Sequence, residues 1–149
     1  MPAFSHTYST TIDAPPAVVH GLVADFHEWR AWSPWEDLDP DLHRVYDGAG
    51  VGASYAWSGN KKAGEGSMTF TSITPEQVVV DLEFLKPFKA SNVVTFDLAP
   101  AGEGTRVAWT MAGQRNLAFA VLGKLFFDKA IGRDFTKGLA SLKAAAEAA

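Results

Sequence analysis

Phe4, His6, Tyr8 and Ile12 share one parity and Ser5, Thr7, Ser9 and Thr11 the other, the period of a half-buried strand over residues 4 to 12. Asp13-Ala-Pro-Pro then supplies a cap candidate and prolines suited to a first helical turn. Val19, Leu22, Val23 and Phe26 follow at helical spacing, which predicts a helix from about Pro15 to Asp25. The next stretch, FHEWRAWSPWE from Phe26 to Glu36, is short and aromatic, and Pro34 limits its helical extent. A second short helix ending near Trp32 is predicted there.

From Leu42 onward the period becomes 2. Leu42 to Tyr46 reads as a strand, Asp47-Gly-Ala-Gly as a turn, and Val51, Ala53, Tyr55 and Trp57 as one face of the next strand. Gly66 to Thr74 follows with Met68 and Phe70 in phase. In Gln77 to Leu85, Val78, Val80, Leu82 and Phe84 oppose Asp81 and Glu83. Ser91 to Leu98 carries Val94, Phe96 and Leu98 on one side, and Thr105 to Met111 carries Val107, Trp109 and Met111. Pro75-Glu and Ala101-Gly-Glu-Gly are turn sequences between strands, so six of the seven strands run consecutively.

The last third, from about Leu117 to Ala148, lacks proline and is rich in Ala, Leu, Lys and Phe, as a long helix requires. Ile131, Phe135, Leu139 and Leu142 share a face, whereas Phe119, Leu122 and Phe126 point elsewhere on a straight helix, which predicts a bend near Gly123 to Phe127. The alanine-rich residues 144 to 149 are expected to fray. One strand, two short helices, six strands and a long helix, with no βαβ alternation, give an α+β class with an antiparallel sheet.

Composition narrows this further. At 149 residues the chain can close one core, so a single domain over residues 1 to 149 is expected. The absence of cysteine excludes disulfides, a thiolate nucleophile and cysteine-ligated zinc. A net charge of −4 argues against a nucleic-acid binder. Lys124, Lys129, Arg133, Lys137 and Lys143 are interleaved with Asp128, Asp134 and Glu147 and read as a solvated helix face. No window forms a membrane span, and Met-Pro-Ala-Phe-Ser-His has no leader-like character, so a cytoplasmic protein without integral membrane association is expected.

Several segments together resemble a known superfamily. Ile12-Asp-Ala-Pro-Pro-Ala-Val-Val, the Phe26 to Trp35 stretch, Val51-Gly-Ala-Ser-Tyr-Ala-Trp-Ser-Gly-Asn, Gly64-Glu-Gly-Ser-Met-Thr, Gly104-Thr-Arg-Val-Ala-Trp and Gly138-Leu-Ala-Ser-Leu-Lys span nearly the whole chain. In this order they resemble the START-like, or SRPBCC, proteins, in particular the polyketide cyclase/dehydrase-like branch. The resemblance implies the helix-grip fold: a curved seven-stranded antiparallel sheet wrapped around a long C-terminal helix, with two short helices after the first strand and an apolar cavity between. It does not imply one activity, since such folds carry many.

Chemistry-bearing motifs are sparse. His6, His20, His27 and His43 have no tight metal-ligand spacing, so no metal is expected. Gly48-Ala-Gly-Val-Gly precedes a strand instead of opening a helix and reads as a turn, not a phosphate loop. No cofactor is expected. Asp81 and Glu83 take the solvent parity, and His27, Glu28 and Glu36 sit among the tryptophans without forming a matched acid/base pair. The positive signal is the 12% aromatic content. Trp32, Trp35, Tyr55, Trp57, Met68, Phe70, Phe84, Trp109 and Phe126 come from separate elements that the implied fold brings together, and they are the candidate ligand-binding residues.

Three functions follow from these features. The first is a small-molecule binding or carrier protein for a hydrophobic, lipid-like or polycyclic aromatic ligand. The second is a cyclase/dehydratase-like enzyme using the same cavity without metal, which a titratable side chain such as His27 or Glu28 buried against the aromatic set would favour. The third is a protein-interaction module acting through Lys124, Lys129 and Lys137. The sequence leaves the oligomeric state open.

Overall fold

The computed structural model describes residues 3–33, 39–60, 64–86, 89–114 and 124–149, with side chains for all of these but 3, 4, 114 and 124–131. The first strand, β1 (Ala3–Ile12), is followed by helix α1 (Pro16–Val23) and a 3-10 helix (Phe26–Ala31). The chain then runs through β2 (His43–Asp47), β3 (Ser54–Ser58), β4 (Glu65–Thr74), β5 (Gln77–Lys86), β6 (Ala90–Ala101) and β7 (Gly104–Gln114). It ends in helix α2 (Lys124–Glu147). The described strands form one antiparallel seven-stranded sheet in the order β1-β7-β6-β5-β4-β3-β2, so the first two strands sit at opposite edges. This is the helix-grip architecture expected from the sequence.

Alternation decides the faces. In β6 the buried positions are Asn92, Val94, Phe96 and Leu98, and in β5 they are Val78, Val80 and Leu82, while Asp81 and Glu83 face solvent. Register shifts at Glu65/Gly66 and Phe70/Ser72 break the β4–β5 ladder, and such irregularities bend a strand and curve its sheet. Helix α2 packs on β1, α1 and the 3-10 helix. Its Phe135, Leu139, Leu142 and Ala146 enter one hydrophobic cluster that begins at Ile12.

The aromatic 3-10 helix has a local cause. The last carbonyls of a helix lack intrahelical partners. Here the indole N–H of Trp32 donates to Leu22 O at 2.8 Å and that of Trp29 to Val23 O at 3.0 Å, closing the end of α1. Asp25 caps the 3-10 helix by accepting from His27 N at 2.9 Å.

Two expectations are corrected. Val51 is not on the strand: β3 starts at Ser54, and Val51 is exposed in a turn whose Gly48, Gly50 and Gly52 all have positive φ, which extended pairing forbids. The alanine-rich end does not fray from residue 144. Helix α2 continues to Glu147, Ala146 is buried, and Glu147 accepts from the backbone N–H of Asp13 at 2.8 Å and pairs with Lys143. The helix is continuous from Lys124. Phe119, Leu122 and Gly123, on which the expected bend rests, lie outside the described residues, as does the Phe126 side chain.

Candidate functional site

Strand register sorts the inward residues into rows across the sheet. One row pairs Val78, Phe96 and Trp109, and the next pairs Phe70, Val80, Val94 and Met111. A third runs Tyr55, Met68, Leu82, Asn92 and Gly113, and a fourth Trp57, Gly66, Phe84 and Ala90.

The first row is closed by rings. Trp109 stacks on Phe135 of α2 at 4.1 Å with 10° between planes, and on Phe96 at 5.2 Å. Trp32 meets both Phe96 and Trp109 edge-on, and Trp29 adds a further edge contact to Phe96. Trp29, Trp32, Phe96, Trp109 and Phe135 are each 2% exposed or less, so this half of the interior is packed protein. The other end differs. Trp57 and Phe84 are only half-buried and meet edge-to-face at 6.0 Å, with Trp57 in turn 6.3 Å from Tyr55. Met68 and Leu82 lie beside them and are buried.

The expected ligand-binding residues therefore divide. Tyr55, Trp57, Met68 and Phe84 come together on β3, β4 and β5, while Trp32 and Trp109 belong to the packed half. Phe70 stacks on Phe26 at 3.9 Å between the two groups. Trp35 and the side chain of Phe126 lie outside the described residues.

A separate cleft of about 160 Å³ opens where the 3-10 helix meets β2 and the glycine turn, with Phe26 and Phe70 as its apolar surface and Asp25, His27, Tyr46 and Ser54 among its polar lining. His27 stacks on Tyr46 at 4.2 Å, and its Nδ1 lies 3.1 Å from Asp25 Oδ1. Such a pair fixes one ring nitrogen and leaves the other for proton exchange. The His27 side chain is 61% exposed, however, so it is not buried against the aromatic set. Glu28 is also exposed. Among the described residues no group of His, Asp and Glu is placed to hold a metal ion, and no helix is long and apolar enough to cross a membrane.

One residue of this face escaped the sequence reading. Asn92 has the inward parity of Val94, Phe96 and Leu98, and that phase alone was the available signal. It is 5% exposed.

The fold recurs widely among solved structures. An uncharacterised protein from Rhizobium leguminosarum superposes with a TM-score of 0.73 at 13% identity, covering 99% of this chain and 97% of its own. The di-domain ARO/CYC StfQ from the steffimycin biosynthetic pathway gives 0.72 at 11% identity, covering 97% of this chain and 51% of its own. Ara h 8.0201 gives 0.69 at 11% identity, over 99% and 100% of the two chains. No curated protein matches the sequence. These likenesses carry the fold, and the family comes from the sequence itself: residues 3–147 match the family described as "Polyketide cyclase / dehydrase and lipid transport", to which this chain belongs.

Proposed function

We propose that this protein binds a hydrophobic small molecule, lipid-like or polycyclic aromatic, on the inner face of the sheet against Tyr55, Trp57, Met68 and Phe84. Trp32, Phe70 and Trp109 back that surface from the packed side. The family is associated with hydrophobic small-molecule binding. The observation that carries the assignment to this face is the contrast between its two ends: rings fill one, whereas Trp57 and Phe84 keep half-exposed apolar faces on the inward parity of the other.

Titration of a solvatochromic apolar dye, followed by displacement with candidate ligands, tests this reading. Saturable binding that weakens about tenfold in Trp57→Ala and Phe84→Ala is expected, each truncation removing roughly 1.4 kcal/mol of apolar contact. Absence of saturable binding, or binding indifferent to both substitutions, would overturn it.

A cyclase/dehydratase-like activity is the second reading, and it draws on the Asp25-held imidazole of His27 beside the cleft. Binding stands first because the His27 side chain is 61% exposed and so is not enclosed with the aromatic residues of the inner face. Turnover of an apolar polyketone that is lost in His27→Asn would reverse that order.

A further inference from the structure

We infer that Asn92 is the polar anchor of the apolar face: its side-chain carbonyl accepts a hydrogen bond from a ligand hydroxyl or N–H. The ligand is thus a hydrophobic molecule bearing a donor, not a plain hydrocarbon. This rests on the binding reading above and specifies its chemistry.

Among the described residues three polar ones are buried: Ser33, Asn92 and Thr105. Thr105 Oγ1 donates to Ala14 O at 2.8 Å, and no side-chain atom of Ser33 is left buried without a partner. Asn92 differs, because among the described residues nothing donates to its Oδ1, although that atom is shut off from solvent. Leaving a buried acceptor unbonded costs about 1–3 kcal/mol, and buried polar groups are rarely left so. An apolar side chain of similar size at position 92 would avoid the cost and continue the series Val94, Phe96 and Leu98.

Two placements locate this side chain. Asn92 stands in the same cross-strand row as Tyr55, Met68 and Leu82, next to the row of Trp57 and Phe84. On its other side the paired residue of β7 is Gly113, where a Cβ would come within 2.2 Å of Asn92 Oδ1. The missing side chain at Gly113 makes the room in which the carboxamide lies. A mostly apolar pocket with a single convergent polar group fixes a ligand's orientation, and discriminates best when that group is otherwise unsatisfied.

The test compares 2-naphthol with 2-methylnaphthalene, equal in shape but differing in the donor, by titration against wild type, Asn92→Leu and Gly113→Ala. In wild type the hydroxyl compound is expected to bind about tenfold tighter, although it is the less hydrophobic of the two. Asn92→Leu should bind 2-methylnaphthalene at least as well and lose the preference. Gly113→Ala, which crowds the carboxamide, should reduce it. In wild type, the side-chain NH2 resonances of Asn92 should shift with 2-naphthol and not with its methyl analogue, a readout independent of how the variants fold. A wild type without preference, a preference retained in Asn92→Leu, or unmoved Asn92 resonances would overturn the anchor while leaving apolar binding intact. Failure of both compounds to bind wild type would instead overturn the binding reading, and the anchor with it.

Discussion

Trp57 lies across the bare Cα of Gly66: a Cβ there would stand 2.6 Å from Trp57 Cη2 and 2.4 Å from the carbonyl oxygen of Glu83. The second contact is with backbone and has little room to yield. Gly66→Ala is expected to destabilise the fold by about 1–3 kcal/mol, the usual cost of overpacking, and to turn the indole of Trp57 out of place. Urea denaturation reads the first effect, and a weakened dye affinity under native conditions reads the second.

Phe135 and Phe84 provide a contrast between the two ends of the face. Phe135→Ala removes the ring stacked on Trp109 in the filled half and should cost about 3–5 kcal/mol, a large share of a typical domain's 5–15 kcal/mol. Phe84→Ala should cost less, because its ring is only partly buried and packs at the margin of the core. Equal losses of stability in paired denaturation curves would contradict the division of the interior.

Trp32→Phe keeps most of the ring but removes the N–H that closes Leu22 O. A loss of about 1–2 kcal/mol is expected. Hydrogen exchange should quicken at the C-terminal turn of α1, locating the effect there.

Glu147 gives a pH signature. The side-chain hydrogen bond from Lys143, then the Asp13 backbone N–H, hold its carboxyl below the ordinary 4.5. A carboxyl depressed in the folded state contributes stability that is present above its unfolded value and lost as pH falls through the folded one. The stability gap between wild type and Glu147→Gln should therefore be steady at neutral pH and close in acid, below about pH 4.5. A gap that widened in acid would contradict the assignment. Added salt should also narrow it, since the ion pair is partly exposed.

The strands were legible because period-2 alternation is a local record of which face meets the core, and Val78, Val80 and Leu82 display it without interruption. Val51 kept the parity of Ala53 and Tyr55 but not their backbone, since the flanking glycines take positive φ. The fixed C-terminus was illegible for a different reason: the group that holds Glu147 is the N–H of Asp13, which no local pattern connects to it. In the candidate site, the inward phase of Tyr55, Trp57, Met68 and Phe84 could be read from sequence. The division between packed and half-exposed ends could not, because it depends on how Trp32, Phe96, Trp109 and Phe135 stack in space. Asn92 carried its phase openly, yet its lone oxygen acquires meaning only beside Gly113, a neighbour that strand pairing supplies.

The interlocked rings between β7 and α2 also bear on how such a protein diversifies. With cohesion concentrated around Trp109 and Phe135, the half-buried Trp57 and Phe84 of the far row carry less of the work of holding the molecule together. Residues there can be exchanged to suit a new molecular guest while the scaffold keeps its shape. A library randomised at those two positions should consequently yield mostly folded proteins with different chemical tastes, whereas the same library around Trp109 should yield mostly unfolded ones.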